Sequence, residues 1–452
     1  MKLDLFAPAN PRGNPHRCPG LRPLLSGILG VSQSAQQTAS RIAVRKDVAK
    51  HNFLEPPAVP FTPTAFARLL EPLDRRVIAR AVRAHDGDHG VGEGENAWTC
   101  ARHLKALLFA QFAGLQSLRE IVVGLGGQSA SFYHLNLRAP RRSTLADANR
   151  ARPWMVFRDI ATALIPVAAR ALRQQSEALI RLLDATPIPL KDERFFWAEA
   201  SARIRGLKLH LLYDPRHGRP VWFELTSAKV DDVVAGRAAP LEAGATYVFD
   251  KGYTDYRWWS EILAAQAFFI TRRKKNARRR EVAEQPAAGH AILADRRLKI
   301  GHRQPRGGAP KNPLYEISLR EIVVARPDRP EPLYLLTNDL ERPAADIARL
   351  YKERWEIELL FKWLKQNLKI RRFLGRSENA VRSQIYVALI AFMLLRILHQ
   401  TAARACQTST ALLLAQLKIS LFQPLDLRHI ATPPPRPPTL RPPQLQYALA
   451  FQ

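Results

Sequence analysis

The hydrophobic period of the chain changes near Leu182, and this change restricts the possible folds more than any other feature. Before it, apolar residues recur at helical spacing. After it come five short β-prone segments, RLLDATPIPL, GLKLHLLYD, VWFELTSAK, TYVFD and AFFITR. Only one longer connection, at about 256–265, is evident between the last two. Three strands in close succession and then a strand–helix–strand unit predict an α/β fold with a mixed sheet rather than a Rossmann array.

Helical patterns precede the sheet, and residues 59–178 are predicted to form an all-helical region. Ser117 and Glu120 have the spacing of a capping box at the start of one of these helices. Residues 142 to 180 also look helical, with Ser143 or Thr144 as the expected cap.

The region that follows is predicted to end in helices. A long helix is expected from about Ala344 to Ile370 and another over 379–400. Between the sheet and these helices, residues 273–338 form a basic, irregular stretch with two more strand candidates, LYEISLREIVVA and LYLLTN. We therefore assign residues 179–400 to one domain.

The two ends of the chain have a different composition. Residues 1–58 are rich first in proline and then in serine and glutamine, which predicts a weakly ordered extension. Residues 401–452 are expected to hold one helix and then the proline-rich tail TPPPRPPTLRPP. No internal repeat is evident.

The charge of the chain indicates a polyanionic partner. Among 452 residues, 69 Lys+Arg face 40 Asp+Glu, a net charge of +29, and nucleic acid is the leading candidate for such a protein. The three cysteines are far apart in sequence, which excludes a disulfide scaffold and favours a reducing cytosol. The longest apolar run, Ile385–Leu395, is shorter than the roughly 18 residues that a bilayer needs, so we expect a buried helix and no export or membrane segment.

Two of the β segments run apolar residues into one acid, namely Asp184 and Asp250. Carboxylates at the ends of neighbouring strands suit a hard divalent cation. The alternative interpretation is an ordinary aspartate at a strand end or turn, and Asp231 with Asp232 is a rival for the second acid. These two follow SAKV in a predicted loop, so we rank them lower.

A third acid comes from the long helix. Tyr351, Arg354, Glu358 and Lys365 fall on one stripe of a helix, because each residue turns the helix by about 100°. The alternative is a solvated charged face with an Arg354–Glu358 pair.

This spacing, Tyr-x2-Arg-x3-Glu-x6-Lys, resembles the signature of the IS4 family of bacterial transposases. Asp184 in LDAT and Asp250 in FDKGY resemble the two catalytic aspartates of that family. The segments WTCARHLKALLFAQFAGLQSLREI and RRSTLADANRAR resemble the N-terminal region that often precedes this domain, which implies that residues 59–178 bind DNA. The similarity covers roughly residues 60 to 400. It implies an RNase H-like core with a β-rich insertion. It also implies an Asp184–Asp250–Glu358 triad that holds two Mg²⁺ ions, with Mn²⁺ as a substitute.

The same resemblance implies that Tyr351, Arg354 and Lys365 contact DNA phosphates beside the triad. A dense basic run follows the last β segment, and we expect it to line a channel for the DNA backbone. Its cations are Arg272, Arg273, Lys274, Lys275, Arg278, Arg279 and Arg280. A solvated loop is the alternative for this run.

Other motifs carry little chemistry. The loop HDGDHGVGEGEN fails the EF-hand spacing, since the position of the bidentate glutamate falls on Ala97. Cys100 and His103 lack a second pair of zinc ligands. A nucleophile elbow, a Walker loop and a dinucleotide fingerprint are missing from the sequence, which argues against a cofactor enzyme.

The sequence therefore predicts a DNA transposase that cleaves transposon ends and transfers strands into target DNA. Its expected partners are double-stranded DNA, as terminal inverted repeats and as target, and a second copy of itself in a synaptic homodimer. We expect it in the bacterial cytoplasm, on the nucleoid when bound to DNA, without membrane contact. Two alternatives stay open: a catalytically silent remnant that only binds ends, and a structure-specific nuclease.

Overall fold

The computed structural model describes residues 63–423, except 173–178, 202–203, 288, 290, 304–310, 328, 369, 371 and 404–408. The predicted extension 1–58 and the proline-rich tail lie outside the described residues, as do two further basic residues after the long helix, Lys369 and Arg371.

The N-terminal part of the described chain is helical, as the apolar period predicts. Its helices are α1 (Ala65–Leu70), α2 (Arg75–Ala84), α3 (Cys100–Ala113), α4 (Leu118–Gly127), α5 (Ser129–Phe132), α6 (Arg142–Ala151) and α7 (Trp154–Ala171). The Ser117 hydroxyl accepts a hydrogen bond from the Glu120 backbone N–H at 3.2 Å and so caps α4 as predicted. The prediction of Ser143 or Thr144 as a cap is wrong, because α6 already begins at Arg142 and has no side-chain cap.

Within the described part of the chain, the sheet contains ten strands. They are β1 (Ile180–Pro189), β2 (Glu199–Ser201), β3 (Ile204–Asp214), β4 (Arg219–Ser227), β5 (Thr246–Phe249), β6 (Phe268–Arg272), β7 (Arg279–Gln285), β8 (Ile292–Ile300), β9 (Leu319–Arg326) and β10 (Arg329–Thr337). Between strands β4 and β6 lie the α-helices α8 (Asp232–Gly236) and α9 (Tyr256–Ala264).

Five of these strands form an RNase H-like sheet, which confirms the predicted fold class. β1 pairs antiparallel with β3, and β3 with β4, so the three form a meander. β5 then pairs parallel with the other edge of β1, and β6, reached through α9, pairs parallel with β5. The resulting order β4-β3-β1-β5-β6 places β1 at the centre, and its first four residues pair with the whole of β5.

The predicted insertion, residues 273–338, adds four strands to the edge of this sheet. β10 pairs antiparallel with β6, and β9, β8 and β7 follow as an antiparallel meander. Only β9 and β10 were anticipated from their apolar runs. The pattern missed β7 and β8 because charged residues interrupt their alternation, as in RREVAEQ and ILADRRLKI.

The C-terminal part contains α10 (Ala344–Glu353), α11 (Trp355–Asn367), α12 (Glu378–Ala403) and α13 (Thr410–Ser420). The predicted long helix is therefore interrupted at Arg354, although this residue keeps helical angles of φ −50° and ψ −31°. The backbone N–H of Ile357 donates to the carbonyl of Arg354 at 3.2 Å, a tightened turn rather than a sharp bend.

The sheet carries a hydrophobic core on each face. One includes Leu183, Phe249 and Trp258 of α9. The other includes Leu182 and Val248 and joins the sheet to α11, α12 and the N-terminal helices. The regions 59–178 and 179–400 thus share one core in the described residues, and their separation as domains stays a prediction.

Helix α12 lies within this shared core and packs against α7, α3, α6 and β4. The ring of Tyr386 stacks on Trp154 of α7 at 5.8 Å and also meets Phe223 of β4 at 6.0 Å. Among single helices of the described chain, α12 alone is long and apolar enough to cross a membrane, but 83% of its apolar window is buried inside the protein. The expectation that Ile385–Leu395 is a buried helix is confirmed.

Candidate active site

Neighbouring strands bring Asp184 and Asp250 together. The parallel pairing of β1 and β5 sets Leu183 opposite Phe249. The residue that follows Leu183 is Asp184, and the residue that follows Phe249 is Asp250. Leu182 and Val248, two residues earlier on each strand, belong to the core that α11 shares. Because alternate residues of a strand face the same side, both carboxylates lie on the face covered by α11.

The two aspartates differ in their backbone setting. Asp250 directly follows the end of β5, as predicted. Asp184 was expected at a strand end, and this is wrong: β1 continues to Pro189, with Asp184 opposite Leu211 of β3. The alternation of apolar residues persists through LLDATPIP, and this carries the strand past the acid. Asp184 instead marks where the pairing with β5 ends.

Arg354 joins the third acid to the first. Its Nη2 donates to Oε1 of Glu358 at 2.7 Å, and its Nη1 lies 3.8 Å from Oδ2 of Asp184. The interruption of the helix at Arg354 places this guanidinium where α10 meets α11. Glu358 and Asp184, distant in sequence, thus share one cation.

Tyr351 and Arg272 both contact the second acid, Asp250, and Tyr351 also lies close to Arg354. The Tyr351 hydroxyl donates to Oδ1 of Asp250 at 3.3 Å, and Nη1 of Arg272 lies 3.7 Å from the same oxygen. The guanidinium of Arg354 lies 5.8 Å from the centre of the Tyr351 ring. The tyrosine and the arginine of the motif therefore connect all three acids.

Lys365 of α11 contacts β1 just beyond Asp184. Its Nζ donates to the Thr186 hydroxyl at 2.5 Å. Thr186 is two residues after Asp184 and so lies on the same face of the strand. All four residues of the predicted motif are thus gathered over the face of the sheet that carries the two aspartates.

Burial raises the pKa of Asp184 to about 6, with Glu358 and Asp232 acting in the same direction and Arg354 opposing them. Asp232 was expected in a loop, and this is wrong. It lies in α8, pairs with Lys208 at 2.8 Å, and its charge reaches Asp184. The pattern VDD was visible in the sequence, but nothing local indicated that α8 packs against β1.

Tyr253 was also missed by the sequence analysis. Its hydroxyl is buried and has no hydrogen-bond partner among the described residues. Burial, and then the charges of Asp184, Asp232 and Asp250, raise its pKa. A buried hydroxyl is therefore held near three carboxylates.

The three carboxylates fit a hard divalent cation, because Mg²⁺ prefers oxygen ligands and usually takes one or two carboxylates while keeping several water molecules. Burial raises the pKa of Asp184 to about 6, so its ionised form is poorly stabilised by the surrounding groups, and the buried hydroxyl of Tyr253 nearby lacks a hydrogen-bond partner among the described residues. Among the described residues, however, no group of three acids or other ligand side chains is already closed around a metal position. Arg354 lies between Asp184 and Glu358, and this guanidinium supplies the compensating charge.

The cations of the basic run divide into those that contact a carboxylate and those that are exposed in a turn. Arg273 and Arg279 each contact Glu321, a carboxylate with 0% exposure, at 2.5 Å. Arg280 lies 3.7 Å from Glu316 and over the ring of Tyr315. The exposed cations of the turn between β6 and β7 include Lys274, Lys275 and Arg278. For Arg273 and Arg279 the structure thus provides a buried partner, which the sequence did not suggest.

Both a protein-family model and two relatives of this chain carry the description of a transposase. A family model described as a transposase DDE domain matches residues 175–394, and a domain of unknown function matches residues 62–138. The protein described as "Putative transposase y4zB" of Sinorhizobium fredii is 42% identical over 313 residues, which cover 68% of this chain and 84% of that relative.

A second relative is more distant. The "Probable transposase for insertion sequence element IS5377" of Geobacillus stearothermophilus is 24% identical over 273 residues, or 59% of this chain and 70% of that protein. Among solved structures, the piggyBac transposase synaptic complex with hairpin DNA matches with a TM-score of 0.43 and 9% identity, covering 79% of this chain and 80% of that one.

Proposed function

Because this chain belongs to the DDE transposases, enzymes that act on DNA, we propose that Asp184, Asp250 and Glu358 are its catalytic triad and hold divalent metal ions. The observation that carries this proposal is the shared network of Arg354 and Tyr351, which contacts all three acids across two strands and a helix. An ordinary solvated helix face would not reach Asp184, which lies 170 residues before Arg354 in the chain.

When bound, two Mg²⁺ ions would supply a polarised nucleophile and a stabilised leaving oxygen on opposite sides of the phosphorus. The protein holds the acids for this chemistry in defined directions. Asp184 and Asp250 are fixed by the paired strands, and the Tyr351 hydroxyl orients Asp250.

Arg354 has two roles in this proposal. Without metal it compensates Asp184 and Glu358. If those acids hold cations, its guanidinium would be available to a DNA phosphate, which it can bind with two parallel hydrogen bonds. Lys365 adds a second positive charge on the same face of β1 and binds the adjacent phosphate.

The finer assignments belong to the same proposal. We place the chain in the IS4 family on the Tyr351, Arg354, Glu358 and Lys365 spacing. Its substrates are then the inverted repeats that bracket its gene and a target DNA, brought together by a homodimer in the bacterial cytoplasm. Mg²⁺ is the proposed ion, and Mn²⁺ the substitute.

The test is cleavage of a duplex carrying those inverted repeats, in Mg²⁺, by Asp184→Asn, Asp250→Asn and Glu358→Gln. Each variant keeps the shape of the side chain and removes its charge. We expect cleavage to be abolished while DNA binding persists. Asp346→Asn, an exposed acid of α10 paired with Arg349, is the matched control and should cleave normally.

Two further measurements separate the alternatives. If Asp232→Asn abolishes cleavage and Asp250→Asn does not, the second acid is wrongly assigned. Joining of a cleaved end to a target plasmid separates a transposase from a nuclease that uses the same triad. Normal cleavage by Asp184→Asn would reject the triad altogether.

A further inference from the structure

A cleft of about 1040 Å³ opens where β1 ends. Its walls are residues 187–192 with Phe195 on one side, and Ile370 with residues 372–376 on the other. Lys365 also lines it, and the same lysine donates to Thr186 beside Asp184. Lys365 therefore connects the cleft to the strand that carries Asp184.

The lining of the cleft is positively charged. Four cations contribute, Lys191, Lys365, Arg372 and Arg376, against the single acid Asp192 among its described lining residues. Asp192 is itself neutralised, because Arg194 contacts both of its carboxylate oxygens and Arg376 lies 3.7 Å away. The surplus of positive charge predicts an anionic occupant.

The cleft also has an aromatic side. Phe195 meets Phe373 edge to face at 6.4 Å across it. Phe196, the next residue, is not among the described lining residues, but it belongs to the same segment at the edge of the cleft and is 74% exposed. The indole N–H of Trp197 donates to the Arg376 carbonyl at 2.7 Å and ties the two walls together. The exposed ring is thus carried by an anchored segment.

We propose that this cleft binds an unpaired DNA strand that leaves the active site beside the cleaved phosphodiester. A cationic groove with an exposed aromatic ring matches the way in which proteins bind single strands, because only unpaired bases present their faces for stacking. A duplex would use the charges but not the ring. The inference rests on the proposed function, since it takes the neighbouring acids to be the site of cleavage.

The experiment measures binding without cleavage. Fluorescence anisotropy in EDTA compares a blunt duplex that carries the terminal repeat with the same duplex extended by a single-stranded tail. We expect the full chain to bind the tailed duplex more tightly. Phe196→Ala should weaken binding of the tailed duplex at least about fivefold, the lower end of the effect of one stacked base, and leave the blunt duplex unchanged.

Matched variants separate stacking and charge from general effects. Phe196→Trp should keep the preference for the tail, while Leu293→Ala, at another exposed apolar side chain, should change neither affinity. Lys191→Glu should weaken the tailed duplex more than the blunt one, whereas Arg257→Glu, an exposed cation of α9, should not discriminate. Lys191 and Phe196 are both exposed, and a melting curve checks each fold. If either Phe196→Ala or Lys191→Glu fails to fold, the binding of the remaining variant to the two duplexes decides the test.

Equal losses for both duplexes in Phe196→Ala and Lys191→Glu, or no preference for a tail in the unaltered chain, would overturn the proposal. This result is distinguishable from a failure of the triad. A wrong triad appears as normal cleavage by the acid variants in Mg²⁺, whereas the binding assay contains no divalent ion.

Discussion

Two clusters of arginine and carboxylate in this protein share their charges in opposite ways. In the insertion, two arginines hold one acid: Glu321 is fully buried and contacts Arg273 and Arg279 on its two carboxylate oxygens. At the candidate active site, one arginine is shared by two acids, because Arg354 lies between Asp184 and Glu358.

The difference separates a structural cluster from a reactive one. The carboxylate of Glu321 is satisfied on both oxygens and closed to solvent, so it can only hold strands together. Asp184 and Glu358 keep 21% and 33% of their side chains exposed. Two partly exposed acids that share one guanidinium can accept a cation, whereas a buried acid whose two oxygens are each held by an arginine cannot.

The largest expected effect is on catalysis. Arg354→Ala should lower the cleavage rate by roughly 10²–10³-fold, the cost of removing one donor aimed at developing charge. Arg354→Lys should rescue only part, because an ammonium lacks the bidentate fork. Single-turnover cleavage measures both.

Arg349→Ala is the control for this change. Arg349 also pairs with acids at i−3 and i+4, but on an exposed part of α10. Near-normal cleavage by Arg354→Ala would mean that its pairing with Glu358 is an ordinary helix contact like that of Arg349.

In the insertion the effect should fall on stability. Glu321→Gln leaves Arg273 and Arg279 without their charged partner and should lower the free energy of unfolding by about 3 kcal/mol. Cleavage by the folded protein should persist. Chemical denaturation measures the loss, with Glu331→Gln, an exposed acid near Arg326, as the control. Equal stability of the two variants would contradict the structural role of Glu321.

At the active site, removing an acid should stabilise the fold. Burial raises the pKa of Asp184 to about 6 from 3.8, so ionising it costs free energy in the folded state. This cost is absent below about pH 4 and complete above about pH 6. Asp184→Asn should therefore raise the free energy of unfolding by about 1–3 kcal/mol at pH 8.

The gain of Asp184→Asn should shrink towards zero as the pH falls to 4. Denaturation in EDTA at both pH values measures it, with Asp346→Asn as an exposed comparison. A loss of stability at pH 8 would show that Asp184 is as well compensated as Glu321.

The smallest effect concerns the exposed cations of the insertion. Replacing Lys274, Lys275 and Arg278 with Ala should reduce the slope of log K against log salt for DNA binding by at most about 0.9 for each phosphate that is no longer neutralised. Arg279→Ala should mainly lower stability, because Arg279 is held by Glu321. An unchanged slope for the triple variant would mean that this turn is only solvated.

The features that sequence predicted well depend on local periodicity. The strands around Asp184 and Asp250 and the buried helix containing Ile385–Leu395 were all visible as apolar runs or spacings. The motif from Tyr351 to Lys365 was also legible, since a helix puts its members on one stripe.

The features that were missed depend on partners distant in the chain. Glu321 contacts arginines 42 and 48 residues away, and nothing in EIVVA marks it as the centre of a buried cluster. Asp232 reaches Asp184 only because α8 packs on β1. The interruption at Arg354 was not expected, because helical propensity in this segment favours continuity.

The central position of α12 has a consequence for synthesis of the chain. Helices α1 to α7 emerge from the ribosome first, yet the surface that covers α3, α6 and α7 is α12, whose residues 378–403 are made some 200 residues later. Domains normally fold as they emerge. Here the early helices wait with an apolar face uncovered until the acids and the motif have also been translated. A product cut short before α12 would therefore lack the surface that covers these helices, and we do not expect it to persist as a stable N-terminal fragment.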